Sequence, residues 1–231
     1  MNIGGMVKST FLDYPGKIAC VLFTQGCSYD CFYCHNRELV ASKGTLLGQE
    51  KVGTFLDSRK DLLQGVVISG GEPTLQPDLP DYCSWIKEKG FLVKLDTNGN
   101  SPEVLEKLLF LQLVDYIALD VKAPWERYGE ICGKGARPQT VIESLSLLKG
   151  SNICWETRTT VAPTLGKTDL RKIACQMPKV PLWRLNRYRL PACYKKDEEK
   201  KIHTPAPDCF EVQGWIDELK IFQGAIVTFS K

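Results

Sequence analysis

Long apolar runs are missing from this sequence of 231 residues. Residues 18–22, among the longest and broken only by a thiol, fall far short of the roughly 20 residues that cross a bilayer, so no membrane helix is expected. The first 12 residues lack a basic stretch followed by an apolar block, the pattern of a secretory signal. Charge of one sign is also scarce. Thirty Lys and Arg against 27 Asp and Glu leave a net charge of +3, too little to nominate nucleic acid or an anionic membrane as the main partner. Repeats and low-complexity segments are absent, and 43% apolar with 25% charged residues excludes disordered, collagenous and coiled-coil classes. These absences set an expectation of one soluble cytoplasmic domain spanning residues 1–231.

Cysteine, by contrast, is plentiful. Ten cysteines serve either a disulfide framework in an exported protein or metal and redox chemistry in a reducing compartment. The missing signal favours the second use. So does length, because a chain of this size buries enough core to be stable without covalent staples.

Apolar, β-branched runs at 18–24, 65–69, 91–95, 116–121, 155–161 and 183–190 read as strands, with a last one at 224–229. Between them, 49–63, 79–89, 102–111, 139–148 and 169–175 carry apolar residues at helical spacing, and 211–222 reads as a last helix. Ser101-Pro102-Glu103 and Thr168-Asp169 look like helix starts. The charge run 195–201 and His203 read as a solvated loop. Alternation of this kind predicts an α/β fold with a mainly parallel sheet, closed or partly closed into a barrel, whose chemistry lies beyond the carboxyl ends of its strands.

Directly after the first of these strands stand Cys27, Cys31 and Cys34, spaced CxxxCxxC. Structural zinc wants four ligands, commonly as two separated pairs, and the sequence has no second CxxC. A cubane iron–sulfur cluster held by three thiolates keeps one iron open to another ligand. The alternatives at this point are core cysteines, or a zinc knuckle completed by His35.

Phe11-Leu12-Asp13-Tyr14-Pro15-Gly16-Lys17, Leu22-Phe23-Thr24-Gln25-Gly26-Cys27 and Cys34-His35-Asn36 together resemble the amino-terminal region of glycyl-radical-enzyme activases. These are radical S-adenosylmethionine (SAM) enzymes, and they include the activases of pyruvate formate-lyase and of anaerobic ribonucleotide reductase. The resemblance implies a partial (β/α)6 TIM-type barrel, a 4Fe–4S cluster on Cys27, Cys31 and Cys34, and SAM chelated to the open iron. Cleavage of SAM then gives a 5′-deoxyadenosyl radical that takes hydrogen from a glycine of a partner glycyl radical enzyme, with flavodoxin or ferredoxin as electron donor.

The later strand ends fit the same picture. Gly70-Gly71-Glu72-Pro73 lets backbone approach a ligand closely and resembles the GGEP motif, whose backbone and carboxylate hold the SAM amino group. Asp96-Thr97-Asn98-Gly99 reads as an Asx-type turn or as part of the site. Asp120 and Lys122 alternate on one strand face, either as a surface ion pair or as site residues. The resemblance implies a monovalent cation beside SAM, bound by Asp96, Thr97 and Asp120, with Asn98 nearby and Lys122 against the SAM carboxylate.

On the fifth strand Glu156, Arg158 and Thr160 alternate with Thr157, Thr159 and Val161, and periodicity does not say which set faces inward. Residues 186–191 resemble a late segment of the ribonucleotide-reductase-activating subgroup, which puts Asn186 and Tyr188 near the nucleoside of SAM and leans towards anaerobic ribonucleoside-triphosphate reductase as partner. Cys20, Cys83, Cys132, Cys154, Cys175, Cys193 and Cys209 are scattered singly and read mainly as core filler. With no cysteine between Cys34 and Gly70, a single cluster is expected. The rival readings are a small-molecule radical SAM enzyme such as a 7-carboxy-7-deazaguanine synthase, and a non-catalytic metal-binding protein.

Overall fold

Successive side chains of a strand point to opposite faces of the sheet, and the central strands are buried almost without a break, so both faces are covered. A computed structural model describes residues 1–41 and 44–228. Its strands pair in chain order: β1 (Ile3–Thr10), β2 (Ala19–Thr24), β3 (Gly65–Gly70), β4 (Leu92–Thr97), β5 (Tyr116–Asp120), β6 (Cys154–Val161), β7 (Trp183–Arg187) and β8 (Ile226–Thr228). β1 lies antiparallel to β2, and each later pair is parallel. Parallel neighbours need crossovers. They are built from α1 (Arg37–Val40), α2 (Gln49–Asp57), α3 (Leu79–Glu88), α4 (Pro102–Phe110), α5 (Tyr128–Cys132), α6 (Pro138–Gly150), α7 (Lys167–Gln176), α8 (Glu199–Ile202) and α9 (Cys209–Leu219). β2 to β7 form the expected six-strand partial barrel. β1 and β8 extend it at either end and, among the described residues, do not pair with each other.

The main core lies between sheet and helices. Cys20 and Leu22 of β2, Ile117 and Leu119 of β5, Trp155 and Val161 of β6, and Trp183 and Leu185 of β7 all point there. A small second cluster of Tyr14, Ala19, Val21 and Val67 fills part of the concave side, with Phe23, Leu92 and Tyr116 packed on it. The rest of that concave side is polar. Thr159 Oγ1 accepts from Trp183 Nε1 at 3.0 Å and so belongs to the helix side. This resolves what periodicity left open: Glu156, Arg158 and Thr160 face inward.

Several expectations change. β1 carried no readable pattern because its side chains are mostly half-buried or exposed. The helix expected over 49–63 stops at Asp57, and the strand expected over 183–190 stops at Arg187. Ser101 occupies the cap position of α4 without a side-chain hydrogen bond. Gly166, not Thr168, caps α7, and Asp169 accepts its N–H at 3.1 Å. Phe229 of the expected last strand lies outside the described residues.

The run 195–201 is solvated as expected, with only Glu198 half-buried, but it is more than a loop. It forms a single 3-10 turn, Lys196–Glu198, followed by α8, and grips the cysteine loop: Glu198 pairs with Arg37 at 3.1 Å and Lys195 pairs with Asp30. The Lys201 ammonium lies 5.8 Å from the Phe32 ring centroid. The cysteines diverge as well. Cys20, Cys83 and Cys132 are buried, but Cys154, Cys175 and Cys193 are exposed and Cys209 is half-buried.

One buried amide closes the far end of the sheet. Gln223 Oε1 accepts from Val180 N at 3.1 Å, and its Nε2 donates to the carbonyls of Ala174 at 3.0 Å and Pro178 at 3.1 Å. Leucine in its place would orphan these buried backbone groups. Gln223→Leu is expected to cost at least about 2 kcal/mol and to lower the melting temperature by about 4–8 °C, measured by thermal and urea unfolding.

Candidate active site

The cysteine loop follows β2 and is fixed from several directions. Gly26 adopts φ +88°, which a glycine tolerates, and donates to Leu39 O at 2.8 Å. Asp30 N donates to Cys132 O at 2.9 Å and Phe32 N to Ile131 O at 3.3 Å, which docks the loop on α5. Arg37 adds NH2 to Cys31 O at 2.9 Å and NH1 to Asp30 Oδ1 at 2.8 Å. Tyr29, Cys31, Phe32 and Tyr33 belong to the main core, so the loop is not peripheral to it.

Gly71 presses against this loop and Gly70 against the end of β2. A Cβ on Gly71 would stand 1.9 Å from Gly26 O, and one on Gly70 would stand 2.4 Å from Thr24 N. Glu72 follows, 1% exposed, and both oxygens of its carboxylate are hydrogen-bonded. Oε1 accepts from Thr74 N at 3.1 Å, Thr74 Oγ1 at 2.6 Å and Thr97 Oγ1 at 2.8 Å, while Oε2 accepts from Asn98 N at 2.7 Å. Burial pushes the Glu72 carboxyl up, against these hydrogen bonds. Glu72 therefore braces the end of β3 to the end of β4.

Deeper on the concave side runs a line of five charges. Lys94 pairs with Asp96; Arg158 NH1 meets Asp96 Oδ2 at 2.9 Å; Arg158 Nε meets Asp120 Oδ1 at 2.9 Å; Lys122 Nζ meets Asp120 Oδ2 at 2.9 Å. Register dictates part of this, because Asp120 and Arg158 are Cα partners across β5 and β6. Burial alone would raise the Asp120 carboxyl, but the Arg158 and Lys122 charges outweigh it and hold it at about 2, against an ordinary 3.8. Burial likewise works against the Lys122 ammonium, and Asp120 outweighs it and keeps the pKa above its usual range. Each oxygen of Asp96 and Asp120 faces a side-chain cation, so these carboxylates do not fit the monovalent-cation site that the resemblance implies.

A cavity of about 450 Å³ gathers Cys27, Cys31, Cys34, Gly70, Gly71, Glu72, Asp96, Thr97, Asn98, Asp120, Lys122, Asn186 and Tyr188 in its wall. Pro73 alone of the expected residues stays outside, buried in the turn after Glu72. Asp13, Tyr33, Arg158 and Thr160 are among the lining residues not singled out as site residues. Arg158 left a usable signal, since an arginine on a strand between buried residues must find acids. Cys132 left none. Its thiol hydrogen-bonds Cys31 and lowers that pKa, whereas burial pushes Cys27 up to about 12 and also raises Cys34.

The donor set suits a cluster. Among the described residues no three or more His, Cys, Asp or Glu side chains converge closely enough for one metal ion. Zinc draws its thiolates to about 2.3 Å from a single point. A cubane binds each cysteine through a different iron and keeps the sulfurs apart. Cys27, Cys31 and Cys34 spread around one cavity match the second geometry, and His35 completes no zinc knuckle. The Tyr33 hydroxyl, buried in the cavity wall, has no partner among the described residues and is free for a bound group.

Known proteins agree with this geometry. A family profile described as the Radical SAM superfamily matches residues 21–174. Streptococcus suis SuiB bound to S-adenosylmethionine superposes with a TM-score of 0.65 at 15% identity, over 91% of this chain and 52% of that one, a likeness of fold. Fold and site thus define a radical SAM enzyme, a class that implies a 4Fe–4S cluster and SAM. A protein of Methanocaldococcus jannaschii named as a glycyl-radical enzyme activating enzyme is 35% identical over 210 residues, covering 88% of this chain and 86% of its own. The pyruvate formate-lyase-activating enzyme of Clostridium pasteurianum is 33% identical over 172 residues, 71% of this chain and 70% of its own. The chain belongs to the glycyl-radical enzyme activating enzymes of the radical SAM superfamily.

Two outcomes test the site. Gly71→Ala should push the Gly26 backbone away and strip most of the iron from reconstituted protein, read by iron and sulfide analysis. A carboxyl held below its unfolded value contributes stability at higher pH and loses it as pH falls through the folded value. Asp120 should therefore give up about 2 kcal/mol between about pH 4 and pH 2, and Asp120→Asn should flatten that part of the acid limb in urea unfolding.

Proposed function

We propose that this chain installs the glycyl radical of a large partner enzyme by taking a hydrogen atom from one glycine of that protein, and that the partner is an anaerobic ribonucleoside-triphosphate reductase. The convergence of Cys27, Cys31, Cys34, the Gly70-Gly71 turn and Lys122 on one cavity carries the reading. When bound, the cluster and SAM supply one electron and a 5′-deoxyadenosyl radical. The chain's own residues hold, orient and enclose. Cys27, Cys31 and Cys34 would hold the cluster.

Main-chain groups of Gly70, Gly71 and Glu72, which line the cavity, would hold the methionine amino group. The Glu72 carboxylate acts as a brace through Oε1, while Oε2 accepts only from Asn98 N and keeps a lone pair for the amino group. Lys122 spends one of its three donors on Asp120 and offers the others to the methionine carboxylate. Asn98 donates to Cys27 Sγ at 3.8 Å, a contact that stabilises the thiolate and tunes the cluster. Asn186 and Tyr188 border the nucleoside. The Tyr188 hydroxyl already donates to Ile202 O at 3.0 Å, so its ring is what it presents.

Partner size follows from the open sheet. Because β1 and β8 do not pair, the barrel keeps a side opening through which a peptide loop can reach the cavity. Similarity of residues 186–191 to the ribonucleotide-reductase-activating subgroup supports the choice of partner. An electron from flavodoxin or ferredoxin, an anaerobic cytoplasm and a single radical SAM domain over residues 1–231 complete the proposal. No helix is long and apolar enough to cross a membrane among the described residues.

Reduced protein incubated with SAM and a purified anaerobic ribonucleotide reductase should give a glycyl doublet by electron paramagnetic resonance; absence of the doublet with every glycyl radical enzyme offered would defeat the reading. Replacing Cys27, Cys31 and Cys34 together by alanine should abolish both the doublet and SAM cleavage. Because Cys31 is buried, circular dichroism must accompany that result. Cys83→Ala and Cys175→Ala should retain full iron content.

A further inference from the structure

The carboxylates that the resemblance gives to a monovalent cation already share a cation belonging to the chain. The Arg158 guanidinium spans from Asp96 to Asp120, with 2.9 Å contacts on both sides. The remaining oxygens of the two acids go to Lys94 and Lys122, so three cations serve two anions before any ligand arrives. Thr97, the third expected ligand, is engaged as well. Its Oγ1 donates to Glu72 at 2.8 Å and accepts from Gly99 N at 3.1 Å. A sodium or potassium ion in this place would have to displace the guanidinium and sit among fixed positive charges, with no anionic oxygen left unpaired to repay its lost hydration.

We propose that Arg158 is this chain's fixed substitute for the monovalent cation, a positioning residue that holds Asp96 and Asp120 apart and turns its NH2 group, which neither acid engages, towards the carboxylate of bound SAM. The β5–β6 register places it there in every molecule, so occupancy does not depend on the salt in solution. A diffusing ion would be bound only as its concentration allows. The same arrangement leaves the line of charges with one positive charge in excess, the complement of a single carboxylate.

The inference rests on the cavity being the SAM site, so the test carries one readout that needs SAM and one that does not. SAM affinity of the reconstituted enzyme, by equilibrium dialysis, and the melting temperature of the same protein without SAM are each measured in potassium, sodium and choline chloride at equal ionic strength. The intact protein is expected to show the same affinity and the same melting temperature in all three salts. Arg158→Leu is expected to weaken SAM binding about tenfold or more in choline, with partial recovery of affinity and melting temperature in potassium or sodium as an ion enters the vacated position.

Tighter SAM binding or a higher melting temperature of the intact protein in potassium or sodium than in choline would overturn the proposal, because an ion would then bind with Arg158 in place. So would an Arg158→Leu protein that binds SAM as the intact one does. Should that variant fail to fold, Arg158→Lys, which keeps the charge but cannot span both acids, replaces it, and the salt series on the intact protein decides by itself. Loss of all SAM binding in every salt with unchanged melting behaviour would count against the SAM site and leave the Arg158 assignment to the melting series.

Discussion

Removing a carboxylate from water costs several kcal/mol unless each oxygen finds a partner, and three of the carboxylates on the concave side of this sheet line the cavity and must be satisfied. Glu72 is met by four donors from Thr74, Thr97 and Asn98. Asp96 and Asp120 are met by Lys94, Arg158 and Lys122. Both solutions cross strands. The first ties the turn after β3 to the end of β4, and the second ties β4, β5 and β6 at the same height. The turn that holds the cavity rim and the charges at its floor are therefore set by one requirement, that buried acids be paired.

The features legible in the sequence are those with local period or local spacing. Three cysteines within eight residues, two adjacent glycines after a strand, and an acid and a base two positions apart are all read without knowing the fold. Facing directions were not. Whether Arg158 or Thr159 points inward depends on which side of β6 meets the helices, and it takes three-dimensional contacts such as that between Thr159 and Trp183 to settle it. Side-chain partners were not legible either: the Glu72 carboxylate takes hydrogen bonds from Thr74, Thr97 and Asn98, a bracing that two glycines and an acid in a row do not announce.

Long-range partners left no trace at all. Arg37 and Glu198 are 161 residues apart, and a mixed-charge run such as 195–201 has the composition of a solvated loop whatever it touches. Cys132 is equally silent, a lone thiol brought against Cys31 by α5. Treating single cysteines as core filler failed for a different reason. The preference of cysteine for burial describes the residue type averaged over positions, whereas Cys154, Cys175 and Cys193 occupy surface positions of this fold.

The embedding of the cysteine loop bears on the chemistry. Thiolates must form for a cluster to bind, and burial opposes that at Cys27 and Cys34. A loop free to move would relieve the cost by drifting into solvent. This one cannot, since Phe32 and Tyr33 are in the core and Asp30, Cys31 and Arg37 are bonded to α5, to each other and to the segment before α8. Iron then becomes the partner that makes the buried thiolates tolerable, and the donors from Asn98 to Cys27 and from Cys132 to Cys31 temper the charge that remains. Since hydrogen bonds to sulfur and solvent exclusion both set the potential of such a cluster, the contacts that lock the loop also tune the electron it passes.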